Sequence, residues 1–119
     1  MDIESAIGKH AEWKVKFRAA IAKKSRMDVE LIGNTHCCEI GNWIDGEGKK
    51  DNAHLPEFAQ LVKTHEQFHR EAVKLAGLIN AGRYSDAEHA LNTSAYADVS
   101  RQMTGGIMKL KKVINRVAP

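Results

Sequence analysis

The chain has 119 residues, 43% hydrophobic, 28% charged and 6% aromatic, which suits one compact domain and leaves no room for two of ordinary size. A net charge of +3, from 18 Lys+Arg against 15 Asp+Glu, is too balanced to argue for nucleic acid. No apolar stretch approaches the ~20 residues of a membrane span, and Asp2 and Glu4 stand where a secretory leader would be cationic and then apolar, so a soluble, cytoplasmic product is expected. The cations Lys109, Lys111, Lys112 and Arg116 do cluster, but they fall where the last turns of a helix favour positive charge.

From Ile3 to about Lys24 the apolar positions Ile3, Ala6, Ile7, Trp13, Phe17, Ala20 and Ile21 recur at three and four, and His10 falls on the same stripe. This is the period of a helix, not of a strand. Ser25 to Asn34 reads as a connection with a helical turn around Asp28–Ile32, followed by a short helix around Cys37–Ile44. The polar, glycine-bearing run Asp45 to Asn52 predicts a turn. Pro56 suits a first helical position, and the helix it opens is expected to stop near Ala81, at the Asn80/Gly82 pair. Its buried stripe is Phe58, Leu61, Val62, His65, Phe68, His69, Ala72, Ala76 and Ile79. Ser85 and Glu88 form a capping-box pattern opening a helix that either runs unbroken to Val117 or is bent or split at Gly105-Gly106. Strand signals are absent. The expected fold is all-α: an antiparallel bundle of four main helices, with the short Cys-bearing helix crossing between long ones.

The histidines carry the chemical signal. His65 and His69 are four apart, one turn apart on one helix face, and that face is the buried one. His10 occupies the apolar stripe of the first helix, and Cys38 lies near an inter-helix turn. Buried imidazoles ordinarily hydrogen-bond within a core. Three of them with a thiol nearby fit a metal better, because each ring nitrogen otherwise needs a partner away from water. Four N/S donors suit tetrahedral zinc, and the absence of carboxylates argues against magnesium or calcium. The adjacent Cys37 and Cys38 can hardly close an unstrained disulfide.

The segment Cys38-Glu39-Ile40-Gly41-Asn42-Trp43-Ile44 has the Cys-x-(Leu/Ile/Phe)-Gly-x-Trp-(Leu/Ile) core of the chemoreceptor zinc-binding family. His10 with Trp13 resembles that family's first-helix histidine motif. Pro56-Glu57-Phe58 followed by His65-Glu66-Gln67-Phe68-His69 resembles its His-x-x-x-His helix, in matching order and spacing from roughly Ile3 to Leu91. The resemblance implies a single zinc-binding domain over residues 1–119, with zinc held by His10, Cys38, His65 and His69. It implies Cys38 rather than Cys37 as the ligand, since Cys38 stands three before Gly41. Gly41 is expected to permit close helix approach, and Trp43 to fill core beside the site.

His65-Glu66-Gln67-Phe68-His69 also satisfies His-Glu-x-x-His, in which Glu66 would be the base of a metal-dependent hydrolase. Against that stand three features: no further His at the extended spacing, where Ala72 replaces glycine; no strand to hold substrate; and a Cys closing the coordination that a hydrolytic water needs. A di-iron site would need a second Glu-x-x-His pair beside Glu66-Gln67-Phe68-His69, and the sequence has none on an inward face. His36, His54 and His89 carry no clear signal: His36 abuts the cysteines, with a spare donor, or one standing behind a ligand, as its lesser reading, and His54 and His89 read as solvated; Met27, Met103 and Met108 read as packing. By its resemblance the chain is a non-enzymatic zinc- or redox-sensing module of bacterial signalling, in chemotaxis or cyclic-di-GMP control. Its implied partners are zinc, a chemoreceptor or diguanylate cyclase, and a second copy of itself. A structural zinc bundle or adaptor is the competing reading. These 119 residues hold no Gly-Gly-Asp-Glu-Phe cyclase motif. The final stretch Ile107, Met108, Leu110, Val113, Ile114 and Val117 is expected either to dock a partner or to pack on its own bundle.

Overall fold

The computed structural model describes residues 3–34, 38–93 and 95–117, except for the side chains of Ile3, Glu4, Ala6, Ile7, His10, Glu39, Arg116 and Val117. Among the described residues the helical segments are α1 Ile3–Lys23, α2 Val29–Gly33, α3 Glu39–Asp45, α4 Glu47–Asn52, α5 Pro56–Asn80, α6 Tyr84–Thr93 and α7 Ala95–Val117. No strand occurs among the described residues, so the all-α class expected from the sequence stands. None of these helices is long and apolar enough to cross a membrane.

The axis of the fold is α5, which packs against α1, α2, α6 and α7. Pro56 occupies its first turn as expected, and the 25-residue helix runs without a break. Its buried face holds every member of the expected stripe except the half-buried Val62, and adds Thr64 and Leu75. Thr64 is accommodated because its hydroxyl donates to the Gln60 carbonyl at 3.0 Å. At the centre, Phe17 of α1 and Phe68 of α5 both meet Tyr96 of α7 with ring centroids 5.5 Å apart. Phe17 and Phe68 are almost fully buried, and truncating either to Ala would cost about 3–5 kcal/mol. The end of α7 packs inward through Ile107 and Leu110, whereas Met108 is 49% exposed and takes no part in the core.

Two local expectations are corrected, and one that was open is decided. The run from Asp45 to Asn52 is not a plain turn: after a break at Gly46 it forms α4. Gly48 explains this, because a Cβ there would lie 2.7 Å from both the ring and the carbonyl oxygen of Trp43; the glycine serves helix-to-tryptophan packing rather than a turn. Ser85 does not cap, because α6 already begins at Tyr84. Gly82, at φ +78, turns the chain out of α5, and Arg83 pairs with Asp86 at 2.7 Å. α7 is not split at Gly105-Gly106. In α6, the Asn92 and Thr93 side chains donate to the Glu88 and His89 carbonyls. The glycines stay helical inside α7, where Gly106 faces the Leu61 side chain of α5 at an ordinary contact distance.

Candidate metal centre

His65 and His69 are each only 3% exposed, on the inward face of α5. Both use Nε2 toward the same point, the two atoms standing 3.0 Å apart. Cys38 comes from the other side as the N-cap of α3. Its Sγ lies 3.2 Å from His65 Nε2 and 3.6 Å from His69 Nε2. The Gly41 N–H donates to the same sulfur at 3.2 Å, which favours a thiolate there. Gly41 is thus a backbone donor to the cysteine, a role distinct from the close helix approach expected of it.

Ideal zinc–nitrogen and zinc–sulfur bonds of about 2.0–2.1 and 2.3 Å at tetrahedral angles would separate two nitrogens by about 3.3 Å and a nitrogen from a sulfur by about 3.5 Å. The observed triangle of 3.0, 3.2 and 3.6 Å is close to one face of such a tetrahedron. Among the described residues these three are the group able to hold a metal ion, and no carboxylate belongs to it, so the donor set fits zinc and not a hard cation.

The ring of His69 is oriented from behind. Its Nδ1–H donates to the Ile32 carbonyl of α2 at 2.6 Å, which leaves the Nε2 lone pair facing Cys38 and His65. Burial lowers the pKa of His69, and the Ile32 carbonyl pulls the other way; the desolvation is the larger effect, so the imidazole is held toward its neutral, ligating form. This carbonyl has no residue-type signal, and sequence reasoning did not find it.

His10, the other histidine expected here, lies in α1, but its side chain is outside the described residues. His36 and Cys37 also lie outside them. One turn after His10, Trp13 stands edge-on to His69, and it is this tryptophan that meets the site. Trp43, expected to fill core beside the site, is half-buried against the core and packs edge-on to Phe58, two turns before His65 on α5. Glu66, the base of the hydrolase reading, is exposed and pairs with Arg70 at 3.9 Å. His54 and His89 are exposed, as expected.

A helical protein with a buried histidine pair one turn apart and a cysteine closing over them belongs to the class of small helical metal-binding domains. Comparison with known families makes this specific: the chemoreceptor zinc-binding domain matches residues 10–76, more than half of the chain. The chain belongs to the chemoreceptor zinc-binding domain family, as its sequence motifs implied, and zinc is that family's metal. Among characterised proteins, the diguanylate cyclase DgcZ of Escherichia coli (strain K12) is 26% identical over 89 residues. Those residues are 73% of this chain and 30% of the cyclase, so the chain spans about a third of that relative. No solved structure matches the chain.

Proposed function

We propose that the chain is a non-enzymatic regulatory module, a single domain over residues 1–119, whose zinc is held by His10, Cys38, His65 and His69 and whose occupancy is read by bacterial signalling machinery. The observation that carries this reading is the Cys38–His65–His69 triangle, whose edges of 3.2, 3.6 and 3.0 Å suit one face of a zinc tetrahedron. Support for His10 as fourth donor comes from its place in the family's first-helix motif and from Trp13, three residues later on α1, which packs on His69. Such a set leaves no open coordination position for a hydrolytic water. Zinc binding supplies a strong cross-link between the segments that carry these donors.

The four donors come from three places: α1, the start of α3, and α5. Gain or loss of coordination therefore changes how firmly α1 and the Cys38 segment are held against α5, which is the two-state element a sensor needs. Oxidation of the Cys38 thiolate would weaken it as a ligand and act on the same element. The diguanylate cyclase relative supports a signalling context, in cyclic-di-GMP control or chemotaxis, with a signalling protein or a second copy of the chain as partner.

Elemental analysis with native mass spectrometry on untagged protein tests the site. One zinc per chain is expected, lost in both Cys38→Ala and His69→Ala; a wild type that takes up no zinc even when it is added overturns the reading. A His10→Ala variant separates sensing from scaffolding. On the sensing reading it loses metal and stays folded and helical, whereas unfolding would make the zinc structural.

A further inference from the structure

Asn80 is the last residue of α5, and its side-chain amide meets the backbone of Met27 twice. The Met27 N–H donates to Oδ1 at 2.7 Å, and Nδ2 donates to the Met27 carbonyl at 2.9 Å. Two antiparallel bonds of this kind fix both the position and the plane of the chain, much as a neighbouring strand would. One residue further on, Asp28 caps α2: its side chain accepts from the Leu31 N–H at 3.1 Å, and its carbonyl accepts from the Ile32 N–H at 3.0 Å.

The helix so started has five residues, Val29–Gly33, too short to persist without tertiary support. What holds it is visible. Asn80 grips its entry, the Ile32 side chain is buried at 4% exposure, and Gly33 lies so close to α5 that a Cβ there would be 3.1 Å from Val73 Cγ2. The result is the placement of one backbone acceptor, the Ile32 carbonyl, 2.6 Å from His69 Nδ1. Asn80 and His69 are eleven residues apart on α5, about 16 Å along its axis, yet α2 links them by a second route.

We infer that Asn80 is a positioning residue for the metal centre: by clamping Met27 it sets the Ile32 carbonyl that holds His69 in the Nδ1–H tautomer, with Nε2 free to ligate. The functional consequence rests on the proposal above that His69 is a zinc ligand, but the tautomer does not. Zinc affinity and tautomer are therefore separate readouts, and the second is made on metal-free protein.

The experiment compares wild type, Asn80→Ala, Asn80→Asp and Gly33→Ala, with Ile79→Val as a control that perturbs the core one residue from Asn80 but leaves the clamp in place. Long-range proton–nitrogen correlation spectra of the metal-free proteins report the His69 tautomer, and chelator competition reports zinc affinity. Wild type and Ile79→Val should show the Nδ1–H form. Asn80→Ala and Gly33→Ala should show a mixture of tautomers and a zinc affinity lower by roughly tenfold, within the range seen when partners of metal ligands are removed. Asn80→Asp keeps an acceptor for the Met27 N–H but loses the donor, and should fall between; it also stands in if Asn80→Ala fails to fold. Wild-type tautomer and affinity in the folded Asn80 variants would overturn the inference. A wild type with the Nδ1–H tautomer but no zinc uptake would sink the proposed function and leave the clamp standing.

Discussion

The indole of Trp13 stands edge-on to the imidazole of His69, ring centroids 6.3 Å apart and planes at 76°. Trp13 also touches Phe17 and Phe68, so one face of the metal centre is walled by the aromatic core. The chain's other tryptophan, Trp43, packs edge-on to Phe58. Trp13 should therefore report events at His69. In a Trp43→Phe background, zinc addition is expected to change the emission spectrum; in Trp13→Phe the same addition should leave the remaining emission nearly unchanged. A response that followed Trp43 would mean that the metal binds elsewhere or that the change is global.

Acid should weaken both the metal-free fold and the zinc complex. Burial lowers the His69 pKa below its ordinary 6.5, so between the folded value and 6.5 the unfolded chain binds a proton that the folded chain does not. The stability this group contributes is fully present above 6.5 and is lost as pH falls through the folded value. The urea midpoint of metal-free protein is expected to drop between pH 8 and 5, with a smaller drop in His69→Gln. Zinc affinity should fall over the same range, because the thiolate and neutral imidazoles must give up protons to bind; calorimetry in buffers of different ionisation enthalpy counts the protons released.

Gly48→Ala should be costly. The added Cβ meets the Trp43 carbonyl oxygen as well as its ring, and the backbone atom cannot rotate away. A loss of about 1–3 kcal/mol is expected from overpacking, read as a lower denaturant midpoint with unchanged slope. Gly106→Ala, whose Cβ would meet only the end of the Leu61 side chain at 3.6 Å, should be neutral or mildly stabilising through helix propensity.

Glu66→Gln should leave zinc content and fold intact. The carboxylate sits on the exposed face of α5 and makes only a long ion pair with Arg70, a contact worth well under 1 kcal/mol in water. Zinc-loaded wild type is expected to show no peptidase activity. Robust cleavage that vanished in Glu66→Gln would restore the hydrolase reading.

The parts of this protein legible in its sequence are those written in residue type and period. His65 and His69 declared themselves because a four-residue spacing on an apolar stripe puts two imidazoles on one buried face, and α5 is found within a residue of its expected ends. Cys38 was marked by its motif, though its place as N-cap of α3 was not. Asp45 to Asn52 misled because glycine signals both turns and close packing, and only the position of Trp43 over Gly48 decides between them. Whether Gly105-Gly106 would split the helix was open from propensity alone; α7 runs through both, its packing along α5 outweighing about 1 kcal/mol per glycine. The Ile32 carbonyl and the Asn80 amide left no trace, since a backbone acceptor has no letter and a lone asparagine at a helix end reads as a stop signal.

His65 and His69 share one uninterrupted helix of 25 residues, and that makes α5 the fixed jaw of a vice. The spacing of their backbone positions is set by helical pitch, which no partner or oxidant alters without melting the helix, while the ring of His69 is turned by the Ile32 carbonyl. The opposite jaw is made of shorter pieces, the segments that deliver Cys38 and Ile32, and these have far less helix of their own to hold them in place.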